Sequence, residues 1–137
     1  MAFIIKTQVA GILGDDINTD VIFPARYLTL FAPEEVRTHL FEDIDPALAA
    51  RIVATAATES GAAVIGGSNF GCGSAREQGL TALKYAGTGM VVCKSFSRAF
   101  YRNGINNAVP LFIADCPEPM EVIAAPGETL EADFESG

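Results

Sequence analysis

The sequence predicts one α/β domain, and three observations support that prediction. The chain has 137 residues, which is close to the size of a single domain. Hydrophobic residues make up 50% of it and charged residues 19%, as in a folded chain with a sizeable core. In its middle part, short aliphatic segments alternate with helical patterns, which is typical of βαβ units with parallel strands. Because no linker or repeat divides the chain, residues 1–137 are predicted to form a single domain.

The N-terminal part is predicted to begin with a strand and to continue with two helices. β-branched and aliphatic residues favour the strand, and Pro24 would close a second, short one. Pro33 is followed by two acids, which suits the first turn of a helix. The predicted elements are a strand at 3–13, a turn at 14–20, a short strand at 21–23, a helix from Pro33 to near Asp43 and an alanine-rich helix at 46–58.

The second part is predicted to alternate strands and helices around a loop that contains four glycines in eight residues. Such alternation indicates parallel pairing of the strands. The predicted elements are a strand at 62–65, the glycine loop at 66–73, a helix at 74–85, a strand at 89–93, a short helix at 95–102 and a strand at 109–114.

The C-terminal tail is strongly acidic. Beyond Arg102 there is no lysine or arginine, whereas seven acidic residues follow. We interpret this tail as a solvated edge hairpin, with strands at 121–124 and 129–134 and a turn at Pro126-Gly127. A role in an interface is the alternative.

Charge and patterning exclude several classes of function. The net charge of −8 is the wrong sign for attraction to nucleic acid or to an anionic membrane. No apolar run reaches the roughly 20 residues of a membrane helix, and the start of the chain lacks the pattern of a signal peptide. A cytoplasmic protein without nucleic-acid or membrane partners is therefore expected.

The cysteines and the single histidine narrow the possible chemistry. Cys72, Cys93 and Cys116 are odd in number and widely spaced, so they predict neither a disulfide framework nor a metal site in this chain. His39 is the only histidine, which removes the histidine-dependent forms of nucleophilic catalysis unless a partner supplies one.

The glycine loop is the most informative segment. Its glycines allow close approach to a ligand, and a helix beginning near Ser74 would direct free N–H groups at the same place. The loop is neither a Walker A motif nor a dinucleotide fingerprint. Arg76 would add a fork that can bind a carboxylate through two hydrogen bonds. The segment therefore predicts an anion site, although a structural salt bridge of Arg76 with Glu77 or an early aspartate stays open.

Ser74 has two interpretations. On spacing alone it suits a helix N-cap, with Glu77 completing a capping box. The alternative is a serine whose alkoxide is stabilised by the helix start and the arginine, so that it acts as a base or nucleophile.

Cys72, in the same loop, suggests a different enzyme in which the cysteine carries the chemistry. The lack of a histidine partner counts against this hypothesis.

Three separated segments carry a resemblance to a known family. They are GDDINTDVIFPARYL at 14–28, NFGCGSARE at 69–77 and KSFSRAFYRN at 94–103. In this order they resemble the motifs of the 3-isopropylmalate dehydratase small subunit, the swivelling domain of the aconitase superfamily. The resemblance implies an α/β fold of the swivelling β/β/α type, with a mixed sheet and flanking helices. It also implies closure over a large subunit that holds a [4Fe-4S] cluster, so that this chain would hold no metal.

The resemblance also implies roles for residues. The first serine after the glycine loop, which is Ser74, would remove the substrate proton, and Arg76 would hold a substrate carboxylate. Asp20 would support that arginine, with Asp16 as a weaker candidate. Substrate contacts are expected from seven residues, namely Asp20, Arg26, Tyr27, Leu28, Thr29, Leu30 and Gly73.

The loop after Pro24 is where the resemblance places substrate specificity. Relatives that accept an additional carboxylate have a basic residue soon after Tyr-Leu, whereas 27–31 is uncharged here. A carboxylate beside Leu28 and Leu30 would be costly to desolvate, so a 2-alkylmalate is favoured over homoaconitate or citrate. Isopropylmalate is expected first, followed by dimethylmalate or citramalate. A carboxylate-binding or assembly module without catalysis is the alternative from another class.

Two residues depart from the family pattern Ser-Ser-Arg-Glu-His. Ala75 replaces the second serine and Gln78 replaces the histidine. The second serine would contribute a hydrogen bond near the substrate, so its loss bears on which hydroxy acid is accepted.

Overall fold

The computed structural model describes residues 4–58, 61–74, 77–114, 120 and 125–133, which form five strands and five helices. The strands are β1 (Ile4–Ile12), β2 (Ala62–Ile65), β3 (Thr88–Cys93), β4 (Leu111–Ile113) and β5 (Thr129–Asp133). The helices are α1 (Thr19–Ile22), α2 (Pro33–Val36), α3 (Pro46–Ala56), α4 (Gln78–Tyr85) and α5 (Arg98–Asn106), with 3-10 turns at Ala25–Tyr27 and Arg37–His39.

The strands form one mixed sheet in the order β4-β3-β2-β1-β5. The neighbouring pairs among β1 to β4 are all parallel, which confirms the pairing predicted from the alternation of strands and helices. β5 lies antiparallel to β1 at the edge of the sheet, with Ile4 opposite Asp133. The predicted turn at Pro126-Gly127 precedes it, whereas the predicted partner strand at 121–124 lies outside the described residues.

The main core lies between the sheet and the helices that cover one of its faces. Val64 of β2 and Val91 of β3 are fully buried, and Ile52 of α3 and Leu83 of α4 belong to the same core cluster. A smaller cluster that contains Val9, Ile65 and Met120 forms a second core. Because side chains alternate along a strand, Val64 and Ile65 contribute to different clusters. Full burial of β2 explains why the sequence shows it as an unbroken aliphatic run.

The short strand predicted at 21–23 is wrong, because Thr19–Ile22 forms a helical turn. Asn18 caps this turn, since its side-chain oxygen accepts a hydrogen bond from the backbone N–H of Asp20 at 2.8 Å. The backbone N–H of Ile22 also donates to the carbonyl of Asn18, at 3.0 Å. Capping by an asparagine therefore outweighs the β propensity of the valine and isoleucine.

The helix predicted to start at Ser74 begins at Gln78, so the predicted capping box is wrong. Glu77 occupies the N-cap position, and its side chain makes no capping hydrogen bond. The next helix is also shifted along the chain, because α5 runs from Arg98 to Asn106. The side chain of Ser97 caps α5 by accepting a hydrogen bond from the N–H of Phe100 at 3.2 Å. Ser74 is therefore not the N-cap residue of α4.

We predict that Gly71→Ala destabilises the chain by about 2–4 kcal/mol, because it combines backbone strain with a steric clash. Gly71 has a φ of +81°, and a Cβ there would overlap the side chain of Phe100. Unfolding by urea measures the loss. Gly14→Ala is the matched control, since a Cβ at Gly14 meets nothing within 4 Å. Equal denaturation midpoints for the two variants would contradict the prediction.

Candidate active site

Three loops meet at the end of the sheet where the parallel strands β1, β2 and β3 terminate. The glycine loop after β2 is central, and its two neighbours follow β1 and β3. The N–H of Gly71 donates to the carbonyl of Ile17 at 2.7 Å, and the N–H of Thr19 donates to the carbonyl of Cys72 at 2.8 Å. On the other side, the N–H of Phe70 donates to the carbonyl of Ser95 at 3.0 Å. The three segments that carried the family resemblance are thus joined through their backbones, where α/β proteins commonly bind ligands.

Short polar side chains reinforce this junction. Asp15 accepts a hydrogen bond from the N–H of Ser68 at 2.8 Å, and Asn69 donates from its side-chain amide to Asp16 at 3.0 Å. Ser95 accepts a hydrogen bond from the N–H of Asn69 at 2.7 Å. Asp16, the weaker candidate for supporting the arginine, therefore binds Asn69 in the described part of the chain.

Aromatic rings of the segment after β3 pack against the glycine loop. Phe70 is fully buried, and its ring meets those of Phe96 and Phe100 edge to face at centroid distances of 6.0 and 5.5 Å. Edge-to-face pairs of this kind stabilise a core beyond their burial. The base of the loop is therefore rigidly supported by the segment after β3.

Ser74 lies at the exposed end of the glycine loop, next to Gly73. Gly73 has a φ of +97°, and a Cβ there would meet the side chain of Asn18. Thr19 is 6% exposed, and its hydroxyl donates to the carbonyl of Ser74 at 3.2 Å. The two hydroxyl oxygens of Thr19 and Ser74 are 3.4 Å apart. The hydroxyl of Thr19 therefore contacts both the backbone carbonyl and the hydroxyl of Ser74, and no sequence signal pointed to this residue.

The predicted arginine lies outside the described part of the chain, whereas its predicted support, Asp20, is described. Arg76 and Ala75 lie outside the described residues. The carboxylate of Asp20 accepts a hydrogen bond from the N–H of Ala25 at 2.7 Å. Asp20 thus holds the beginning of the loop that the resemblance assigned to substrate specificity, and its contact with Arg76 stays a prediction.

Arg26 and Tyr27 are held by the segment around residue 42. Arg26 donates to both carboxylate oxygens of Asp43, at 2.7 and 3.1 Å, and to Glu42 at 2.6 Å. The hydroxyl of Tyr27 donates to the same oxygen of Glu42 at 2.6 Å. The ring of Tyr27 stacks on that of His39 with 3.7 Å between centroids. No sequence signal pointed to Glu42 or Asp43, because both read as ordinary surface acids after a helix.

These contacts shift the titration of the groups involved. The hydrogen bond from Tyr27, followed by that with His39, lowers the pKa of Glu42 to about 2. The hydrogen bonds that Arg26 donates to Asp43 lower the pKa of Asp43, and they are the largest cause of the raised pKa of Arg26. Both carboxylates and the guanidinium are therefore charged at neutral pH.

Leu28 and Leu30 line an apolar groove of about 230 Å³ between their loop and α4. A small depression beside it is lined by Ser74 and Asp20, and both hollows share Phe23, Leu28 and Gln78. Thr29, also expected to contact substrate, is exposed. Gln78, which departs from the family pattern, thus lies between the polar depression and the apolar groove. The arrangement can accept a polar group beside Ser74 and an alkyl group next to it.

The described residues provide no ligand set for a metal. No group of three or more histidine, cysteine, aspartate or glutamate side chains there could hold a metal ion, so they do not fit an iron–sulfur cluster. Burial raises the pKa of the Cys93 thiol to about 12, which keeps it protonated. No helix in the part of the chain that the structure describes is both long and apolar enough to cross a membrane.

Comparison with known proteins agrees with this geometry. Residues 42–115 match the family described as the aconitase C-terminal domain. The 3-isopropylmalate dehydratase small subunit of Clostridium acetobutylicum is 45% identical over 124 residues, which cover 90% of this chain and 71% of that protein. The 2,3-dimethylmalate dehydratase small subunit of Eubacterium barkeri is 43% identical over 124 residues, with coverages of 90% and 71%. The crystal structure of 3-isopropylmalate dehydratase from Methanocaldococcus jannaschii has a TM-score of 0.81 and 36% identity, and covers 98% of this chain and 73% of its own.

The fold and the three joined loops therefore define a swivelling domain, and the chain belongs to the aconitase C-terminal domain family. This confirms the α/β fold with a mixed sheet and flanking helices that the motifs predicted. Within that family, the chain belongs with the small subunits of 3-isopropylmalate dehydratase and related 2-alkylmalate dehydratases, which are hydro-lyases.

We predict that the Glu42 carboxylate titrates far below a free glutamate, since its pKa is held at about 2 by Tyr27 and His39. A pKa lowered by folding adds stability that is complete above the unfolded value of about 4.3 and is lost as the pH falls towards the folded value. The carboxyl carbon chemical shift of Glu42, followed by NMR from pH 7 to 2, measures this. Glu34, an exposed acid of α2, serves as an internal comparison in the same spectra. A Glu42 midpoint above pH 4 would contradict the prediction.

Proposed function

We propose that this chain is the small subunit of a two-subunit hydro-lyase that dehydrates and isomerises a 2-alkylmalate, with the interconversion of 2- and 3-isopropylmalate as its first candidate reaction. The observation that carries the proposal is the apolar groove of Leu28 and Leu30 beside the depression of Ser74. The groove has room for an alkyl substituent, and the depression of Ser74, at about 10 Å³, has room for one small polar group. An additional carboxylate in the groove would find no positively charged partner among the described residues that line it, and it would lie near the carboxylate of Glu77.

We propose Ser74 as the base. Its Oγ would accept the proton from the carbon adjacent to the one that bears the hydroxyl, and the C–H electron pair would form the double bond as the hydroxyl leaves. A serine base must carry negative charge before it accepts a proton. Thr19 supports this role, because its hydroxyl lies 3.4 Å from Ser74 Oγ and can turn from the Ser74 carbonyl towards the alkoxide.

Binding is assigned to the groups around Ser74. Arg76 would hold a substrate carboxylate through two hydrogen bonds. Gly73 would contact the substrate through its exposed backbone, and Asp20 would support Arg76. The loop after Pro24 is proposed to shape the substrate site through Arg26, Tyr27, Leu28, Thr29 and Leu30. Its two leucines would contact the alkyl group.

The partner and the cofactor are also part of the proposal. The relatives are named small subunits, which supports assembly with a large subunit. We propose that this partner carries a [4Fe-4S] cluster, as the resemblance to the aconitase superfamily implies and as membership of the aconitase C-terminal domain family supports. When bound there, the cluster would supply a Lewis acid for the substrate hydroxyl.

A second substrate has specific support. The 2,3-dimethylmalate dehydratase small subunit is 43% identical to this chain, almost as similar as the isopropylmalate-type relative at 45%. Dimethylmalate and citramalate also carry alkyl groups that fit beside the two leucines. Homoaconitate is a weaker candidate, because it needs a basic residue in the uncharged loop 27–31. A non-catalytic carboxylate-binding or assembly module is the alternative that kinetics must separate.

Anaerobic reconstitution with the large subunit of the same source tests the proposal. The absorbance of the enoate double bond is followed with isopropylmalate, dimethylmalate, citramalate and homocitrate in parallel. We expect turnover of an alkylmalate, and loss of at least about 100-fold in kcat for Ser74→Ala because the general base is removed. Size-exclusion chromatography controls for assembly of the variant. A near-normal rate for Ser74→Ala would disprove its role, and a stable complex without any turnover would favour the non-catalytic module.

Thr19 offers a finer test of the same serine. Thr19→Val keeps the shape and removes the hydroxyl, so we expect kcat to fall about tenfold through loss of a hydrogen bond to a charged oxygen. KM should change less than kcat, because Thr19 lines the depression of Ser74 but not the groove that binds the alkyl group. Thr19→Ser restores the hydroxyl and should restore most of kcat. If both variants are equally slow, the contact acts through packing and not through the hydroxyl.

A further inference from the structure

The loop that carries Leu28 and Leu30 has two kinds of hydrogen bonds. Bonds within the loop set its shape: the N–H of Leu28 donates to Ala25 at 3.1 Å, and that of Leu30 donates to Tyr27 at 2.9 Å. Such local turns close the chain on itself but do not fix where the loop lies on the protein. Its place relative to α4 must come from contacts that leave the loop.

The side-chain hydrogen bonds that leave the loop go to two neighbouring carboxylates, Glu42 and Asp43, and Glu42 binds both Arg26 and Tyr27. A single oxygen of Glu42 accepts from the hydroxyl of Tyr27 and from the guanidinium of Arg26, each at 2.6 Å. The other oxygen of Glu42 lies 3.1 Å from Nδ1 of His39, whose ring stacks on Tyr27. The ring stacking and the shared carboxylate therefore fix Tyr27 in two directions.

Tyr27 comes directly before Leu28, so its position determines where the apolar lining of the groove begins. Phe41, the neighbour of Glu42, is fully buried, and its N–H donates to the carbonyl of Ile22 at 2.9 Å. Glu42 thus rests on the main core, whereas the loop it holds is at the surface. A rigid support behind a loop is what precise placement of binding groups requires.

We propose that Glu42 is a positioning residue for substrate specificity, because it holds Tyr27 and Arg26 and thereby sets the distance of Leu28 and Leu30 from α4. The inference rests on the proposed function for its substrates. The composition of the loop then determines that the groove is apolar, and Glu42 determines how large an alkyl group the groove contacts.

The kinetic test uses the reconstituted two-subunit enzyme with Glu42→Gln, which retains the size of the side chain and removes its charge. We expect kcat/KM for isopropylmalate relative to citramalate to fall about three- to tenfold, because the larger alkyl group loses more contact when the loop moves. The change should lie mainly in KM for isopropylmalate, while kcat for citramalate stays within a factor of two of the parent value, since Ser74 is unaffected.

Asp45→Asn is the matched control. Asp45 forms an ion pair with Arg51 at 2.6 Å, with side-chain exposures of 38% and 47%, close to the 30% and 52% of Glu42 and Arg26. The Asp45→Asn substitution removes one carboxylate charge and leaves the contacts of the loop of Leu28 and Leu30 unchanged. The selectivity ratio of this variant should equal that of the parent enzyme.

A second readout does not depend on turnover. Hydrogen exchange of the peptide 25–31 in the assembled enzyme should accelerate about three- to tenfold in Glu42→Gln and stay unchanged in Asp45→Asn. If Glu42→Gln fails to fold, Tyr27→Phe tests the same link, because it removes the hydroxyl but keeps the ring on His39. It should shift exchange and selectivity in the same direction.

The outcomes separate this inference from the proposed function. Unchanged exchange in the folded Glu42→Gln enzyme overturns the positioning role. Faster exchange with an unchanged selectivity ratio overturns the link to specificity. If the parent enzyme converts none of the alkylmalates, the proposed function fails, and the exchange data alone decide whether Glu42 holds the loop.

Discussion

The backbone hydrogen bonds on both sides of the glycine loop are the constraint on which the site depends. They draw the loops after β1, β2 and β3 so close together that Gly71 has no space for a side chain beside Phe100. Buried backbone groups must find partners, and here each loop supplies those of its neighbour. The three loops therefore form one rigid unit, and Ser74 lies at the exposed end of that unit.

The site combines two kinds of attachment. The segment before Ser74 is fixed by buried backbone bonds and by the aromatic cluster around Phe70, which a surface substitution does not reach. The loop of Leu28 and Leu30 packs against the main core, and its side-chain hydrogen bonds are made at the surface, to Glu42 and Asp43. Exposed polar contacts contribute little to the free energy of unfolding. A change in them can therefore alter the substrate groove without endangering the fold, which is a sound physical basis for separating specificity from chemistry.

The sequence predicted those features that arise from local patterns. The parallel strands at 62–65 and 89–93 were visible because buried aliphatic runs need no information from elsewhere in the chain. The turn at Thr19 and the late start of α4 were missed, because a cap by Asn18 and a capping box at Ser74 were equally compatible with the residue types. Glu42 could not be found in this way, since its importance comes from Tyr27, 15 residues away in sequence. The glycine loop was recognised from its composition, but its placement between two other loops is a tertiary property.

The position of Ser74 has a consequence for how the chemistry is completed. An alkoxide that faces bulk water is stabilised by hydration, and removing a proton from carbon then requires that hydration to be displaced. Ser74 is exposed, and the hollows beside it are open to solvent on this chain. The hydroxyl of Thr19 can replace a water molecule by turning from the Ser74 carbonyl to the alkoxide, but this hydrogen bond does not exclude solvent. Under the proposed function, a second surface must therefore close over Ser74 before the proton is transferred, and a domain that swivels onto a large subunit provides such closure.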